Sequence, residues 1–199
     1  PPRLSDDLCS LRPDVVRLTK VCEMKFDKKG KMLHARFADA FIRSKARLTY
    51  QEAFTMLKGH DKGEVPSMVR EAWKLASILR RNRYAKGALD LDFPEVRAVM
   101  DKDGRVTDII TEEYDESHQL IEECMLAANE AVALTLKNRN RPTIYRVHEE
   151  PDSAKLFEFG QLCKLYGHPV HDIGQRQYLN ELMKSIKGSP DEQLLKLAL

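Results

Sequence analysis

The chain has 199 residues, 42% hydrophobic and 32% charged, which is enough apolar material for one core or two and excludes the disordered class. Lys+Arg 33 against Asp+Glu 31 leaves a net charge of +2, too balanced to identify a nucleic-acid partner by bulk electrostatics, so any such site must be local. The four cysteines, Cys9, Cys22, Cys124 and Cys163, form no CxxC pair and exclude a zinc ribbon or a redox motif; a reduced, cytoplasmic setting fits them.

Opening on Pro1-Pro2 and running directly into polar sequence, the chain reads as an excised segment with no signal peptide. From Val15 to Phe26, Val16, Leu18, Val21, Met24 and Phe26 interleave with Arg17, Lys20, Glu23 and Lys25, the pattern of a half-buried strand. Asp27-Lys28-Lys29-Gly30 supplies turn chemistry, and a second strand through Phe37, Ala40 and Ile42 closes a hairpin. Thr49 is the expected N-cap of a helix carrying Ala53, Phe54 and Leu57 that Gly59 stops, and 60–65 reads as a loop.

Pro66-Ser67 begins a second helix, with Val69, Trp73, Leu75, Ala76 and Leu79 on one face, that ends at Gly87 after the basic stretch Arg80, Arg81, Arg83 and Lys86. Leu89 and Leu91 suggest a short strand. Val96, Val99 and Met100, then Asp101-Lys102-Asp103-Gly104, then Val106, Ile109 and Ile110 signal a second hairpin. The apolar arc Leu120, Ile121, Cys124, Met125, Ala128, Ala131, Val132 and Leu134 predicts a long, well-buried helix over about 117–137. Asn129 and Glu130 break its apolar stretch far short of a membrane span. A short strand is expected at Thr143 to Val147, a helix from Asp152 to Tyr166, and a weaker helical tail over 175–187 and after Ser189-Pro190. Two hairpins followed mainly by helices imply an α+β fold, antiparallel hairpins packed against several helices.

On the long helix, His118, Glu122 and Asn129 share one stripe, because seven residues at about 100° each come within roughly 20° of two full turns. A carboxylate on so apolar a helix needs a partner. Glu122 therefore either bonds a neighbouring strand or basic residue, or lines a cleft. In Ser44 to Tyr50, Arg47 can grip a phosphate bidentately and Tyr50 combines a stacking face with a hydroxyl, although a tyrosine there can equally be a half-buried packing residue. The run Arg80, Arg81, Arg83 and Lys86 is a solvated helix end complementing its dipole, or else a cationic patch. His148, His168 and His171 lack a zinc spacing, and the paired acids Asp6-Asp7 and Asp90 with Asp92 are of the kind usually solvated rather than metal-bound. No Gly-rich phosphate loop and no nucleophile elbow occurs in the sequence.

Several segments, in order and spacing, resemble the catalytic (RNB) domain of the ribonuclease R and ribonuclease II family. Leu4 to Leu11 resembles its LSxDLCSL block and Ser44 to Tyr50 its SxARLTY block. Gly87-Ala88-Leu89 is similar to the element before its short strand, Leu120 to Asn129 to its IEEfMLxAN helix, and Tyr145 to His148 with Pro151 to its RxHxxP segment. The matches span 4–151, and the tail after Pro169 fits loosely.

The resemblance implies a partial RNB-type catalytic domain over 1–199, truncated at both ends. Its parent would be a magnesium-dependent 3′–5′ exoribonuclease that hydrolyses single-stranded RNA processively to nucleoside monophosphates. In the family the metal-binding aspartates lie upstream of the first block and a transition-state arginine lies in a downstream SPIRRY segment. Hence no catalytic residue and no metal ligand is expected in this chain, no magnesium is expected to be held by it alone, and the isolated fragment should be inactive. One aromatic clamp residue of the family would precede Pro1, and the position of its mate holds Leu91. By the same resemblance, Tyr50 and Glu122 match residues that face the ribose and favour RNA over DNA, and Arg47 is a weaker match to a phosphate contact. A 2′-hydroxyl both donates and accepts, so a phenol and a carboxylate can read it. The expected setting is cytoplasmic, with no membrane partner and a monomeric parent. The competing reading is a non-catalytic RNB-like module that binds RNA or acts as a scaffold.

Overall fold

The computed structural model describes residues 1–89, 95–112, 114–147 and 149–199. Both hairpins turn on the same local chemistry. In the first, β1 (Val16–Phe26) pairs antiparallel with β2 (Met32–Arg43), in register from Val16 opposite Arg43 to Lys25 opposite His34. Asp27 Oδ1 accepts from the Lys29 and Lys31 amides at 2.8 and 2.9 Å, and Gly30 takes φ 78°, the left-handed position that closes a three-residue loop. In the second, β3 (Glu95–Met100) pairs antiparallel with β4 (Val106–Glu112). There Asp101 Oδ1 accepts from the Asp103 and Arg105 amides, each at 2.9 Å, and Gly104 takes φ 76°. Directly opposed charges, Lys20 with Asp39 and Glu23 with Arg36, add cross-strand pairs to the first hairpin.

The helices are α1 (Tyr50–Lys58), α2 (Glu64–Ala85), α3 (Glu116–Asn138), α4 (Ser153–Leu165), α5 (Arg176–Ile186) and α6 (Glu192–Ala198), preceded by a π-helical segment, Arg3–Leu8. With its two hairpins, the chain is α+β. It divides into two units, Pro1–Arg80 with Tyr114–Thr143 and Arg81–Glu113 with Ile144–Leu199. No helix among the described residues is long and apolar enough to cross a membrane.

In the first unit α3 packs on α1 and on β1. The Arg70 guanidinium ties the end of α1 to the start of α2 by donating to the Met56 and Asp61 carbonyls at 3.0 and 2.7 Å. Arg17 secures the segment before β1, donating to the Ser10 carbonyl at 3.0 Å and pairing with Asp7 at 3.0 Å. In the second unit Phe159 and Cys163 of α4, Ile173 of the loop after it, Leu179, Leu182, Met183 and Ile186 of α5 and Leu195 of α6 form a continuous buried cluster. Gly160 lets the 170–173 loop approach α4, since a Cβ there would lie 3.0 Å from Ile173 Cδ1.

The structure corrects several sequence expectations. Thr143 to Val147 is irregular, and Ile144 is 99% exposed: an apolar run forms a strand only where another strand pairs with it, and no ladder forms there. The arc of α3 is not fully buried, since Ile121, Met125, Val132 and Leu134 are all exposed. Periodicity identifies a face able to be buried, not the area that neighbouring elements cover. Leu89 is irregular as well, and Leu91 lies outside the described residues. The second helix also starts two residues before Pro66, which leaves Pro66 within the first turn, where its missing amide costs nothing.

Candidate functional site

Two helix caps place the site in the first unit. Thr49 caps α1: its side chain accepts from the Glu52 amide at 3.2 Å while Glu52 accepts from the Thr49 amide at 2.7 Å, a reciprocal capping box. That cap puts Tyr50 at the first helical position. Asp115 caps α3 by accepting from the Ser117 amide at 2.9 Å and the Ser117 hydroxyl at 2.5 Å. The Asp115 amide donates to His118 Nδ1 at 3.4 Å, which completes a capping box, and Nδ1 also lies 3.0 Å from Asp115 Oδ1. Burial alone would raise the Asp115 pKa, but the bonds from Ser117 and His118 outweigh it and hold the carboxyl below its usual range.

From these caps a row of aromatic and charged groups extends along α3. Tyr50 stacks on His118, ring centroids 3.8 Å apart and planes 21° from parallel. Tyr114 tilts against the same imidazole at 5.8 Å, and its hydroxyl donates to Glu122 Oε2. Arg80 Nη1 reaches the same oxygen at 3.5 Å and lies 3.9 Å from Glu123 Oε1. Desolvation, then the bond to Glu122, pushes the Tyr114 phenol up to about 12, so it remains a donor at neutral pH.

Glu122 thus has the basic partner that its place on an apolar helix requires, and it is still 35% exposed. The deeply buried carboxylate is its neighbour Glu123, 3% exposed, which the stripe reading passed over. Arg80 is 19% exposed and engaged with both carboxylates, so it is not a solvated helix end. Tyr114 was also missed. It precedes the helix, where no periodicity points to Glu122, and the only available signal was an aromatic residue next to the Asp115 cap.

Tyr50 and Arg47 line one cleft of about 600 Å³, with Met68 and Val69 of α2 and Leu120 and Ile121 of α3 among its walls. Arg47 is exposed, and Asn129 is exposed further along α3. The remaining candidates have ordinary structural roles. Asp7 is paired with Arg12 and Arg17, and Asp6 accepts from the Ser5 hydroxyl. In the second unit, His168 Nδ1 lies 3.5 Å from the Ser185 hydroxyl and His171 tilts against Tyr178. Asp90, Asp92 and His148 lie outside the described residues. Burial pushes the Cys163 thiol up, and burial together with the Glu123 charge does the same to Cys124, so neither is poised as a thiolate. Among the described residues no group of three or more His, Cys, Asp or Glu is placed to hold a metal ion.

A protein-family model described as RNB domain matches residues 1–199. The chain belongs to the RNB domain family. Its RNB sequence is 36% identical over 204 residues to Ribonuclease R of Aquifex aeolicus, covering 98% of this chain and 29% of that protein. It is 29% identical over 206 residues to Ribonuclease R of Escherichia coli K12, covering 100% of this chain and 25% of that protein. Among solved structures, Mycoplasma genitalium RNase R in complex with ribose methylated single-stranded RNA superposes with a TM-score of 0.89 at 26% identity, covering 100% of this chain and 32% of that one. The same protein has been solved in apo form and with double-stranded RNA. This RNB chain therefore spans about a quarter to a third of the length of these relatives.

Proposed function

We propose that residues 1–199 are part of the catalytic domain of a 3′–5′ exoribonuclease that degrades single-stranded RNA processively in the cytoplasm. In this reading the chain lines the RNA channel and reads the ribose. Tyr50 and Glu122 face the 2′-hydroxyl, and Arg47, which lines the same cleft as Tyr50, contacts a phosphate. The observation that carries the reading is the linked row from Tyr50 through His118 and Tyr114 to Glu122, which joins in one unit the two residues that separate motifs nominated. A phenol offers a donor and an acceptor, a carboxylate offers acceptors, and a 2′-hydroxyl can satisfy both at once. The likeness to RNase R, whose Mycoplasma genitalium form was crystallised with single-stranded RNA, supports the same substrate class.

Magnesium chemistry belongs, on this proposal, to aspartates upstream of the Leu4 to Leu11 block. Accordingly 1–199 alone turns over no RNA when magnesium is added. The full-length parent, assayed with magnesium on a single-stranded RNA labelled at its 5′ end, is expected to release nucleoside monophosphates from the 3′ end. A full-length protein that binds this RNA without shortening it would instead establish a non-catalytic RNB-like module.

A further inference from the structure

Tyr50 begins α1 and Glu122 lies in the second turn of α3, so two separate helices carry the pair. A glutamate side chain has three free torsions, and neither helix by itself sets where its carboxylate lies relative to a phenol on the other. Two further residues supply that constraint. His118, one turn before Glu122, lays its imidazole against the Tyr50 ring at 3.8 Å and is itself held by Asp115 at 3.0 Å. Tyr114 packs its ring against the same imidazole at 5.8 Å and donates its hydroxyl to Glu122 Oε2. Arg80 approaches that same oxygen at 3.5 Å, so both contacts act on Oε2 and thereby fix the direction of Oε1.

We infer that His118 and Tyr114 are positioning residues that hold Tyr50 and Glu122 together as one preorganised ribose-reading unit. The inference rests on the assignment of Tyr50 and Glu122 to the ribose. Neither positioning residue needs to touch RNA: each acts by removing freedom that the reading pair would otherwise lose on binding. Tyr114 can serve because its phenol keeps its proton beside the carboxylate, and His118 because its ring is bonded on one edge and stacked on its face.

The test uses the full-length parent and compares kcat/KM on a single-stranded RNA and on its 2′-deoxy counterpart. Tyr114→Phe keeps the ring and removes only the hydroxyl; it is expected to lower the RNA-to-DNA ratio about fivefold, the size of one ordinary hydrogen bond. His118→Leu should lower the ratio by a similar factor, and His118→Phe, which keeps a ring against Tyr50, should restore most of it. In the double variant Tyr114→Phe with Glu122→Ala, the ratio should equal that of Glu122→Ala alone, because Tyr114 acts through Glu122. A ratio unchanged by Tyr114→Phe and His118→Leu, with Glu122→Ala still lowering it, would overturn the positioning role and leave the ribose assignment standing. A ratio unchanged by Glu122→Ala would defeat both. Should His118→Leu fail to fold, Tyr114→Phe and the double variant decide the matter.

Discussion

The ring of Tyr50 lies nearly flat on the imidazole of His118, 3.8 Å between centroids and 21° from parallel, so the first residue of α1 is seated on the first turn of α3. Stacked aromatic pairs contribute about 0.5–1.5 kcal/mol beyond the area they bury. Tyr50→Ala should therefore lower the stability of the chain by about 1 kcal/mol, and Tyr50→Phe, which keeps the ring, by less than about 0.5 kcal/mol. Urea unfolding of the three proteins checks this; equal losses for Ala and Phe would show that the hydroxyl, not the stack, matters.

The capping carboxylates set the acid limit. Asp115 is held below its usual range, burial opposing but the bonds from Ser117 and His118 prevailing, and Glu52 is lowered by the Thr49 amide and then by the Thr49 hydroxyl. A group whose folded pKa is depressed stabilises the fold above its unfolded pKa, and that contribution is lost as pH falls through the folded value. Stability should thus be level above about pH 5 and fall below about pH 4, where unfolded carboxylates take up protons. Asp115→Asn keeps a capping acceptor and should flatten this slope in a pH series of thermal melts. An unchanged slope would contradict the assignment.

Tyr114 sets a corresponding alkaline signature. Its phenol is pushed up to about 12, by desolvation first and then by the bond to Glu122. Because the protonated form is favoured in the folded state, its contribution is complete below the unfolded value near 10 and is lost as pH rises through the folded value. An ultraviolet titration should show a late tyrosine transition that Tyr114→Phe removes and Glu122→Gln moves toward 10. Identical titrations of the parent and Tyr114→Phe at high pH would contradict the Tyr114–Glu122 bond.

Much of the fold was legible because local chemistry decided it. Asp27 with Gly30 and Asp101 with Gly104 specify their turns within five residues, and Thr49 and Asp152 mark helix starts by side chains that bond the next amides. The tail, read as weakly helical, carries the best-buried core. Leu179, Leu182, Met183 and Ile186 follow a helical spacing that is present in the sequence itself. What escaped the sequence were relationships between elements. No local rule states that Thr143 to Val147 lacks a pairing strand, that α3 is covered on only part of its apolar arc, or that Arg80 on α2 meets Glu122 and Glu123 on α3. Tyr50 and Glu122 were nominated by motif alone. Their linkage through His118 and Tyr114 became visible only with side chains in place.

The ribose-reading role of this chain is tested most directly by competition between matched RNA and DNA strands for the full-length parent and two variants. Glu122→Ala should lower the preference for RNA by about fivefold, the equivalent of one hydrogen bond of about 1 kcal/mol. Arg83→Ala, a charge change outside the Tyr50 to Glu122 row, should lower it distinctly less. Equal effects of the two substitutions on RNA preference would contradict the assignment of Glu122 to the ribose.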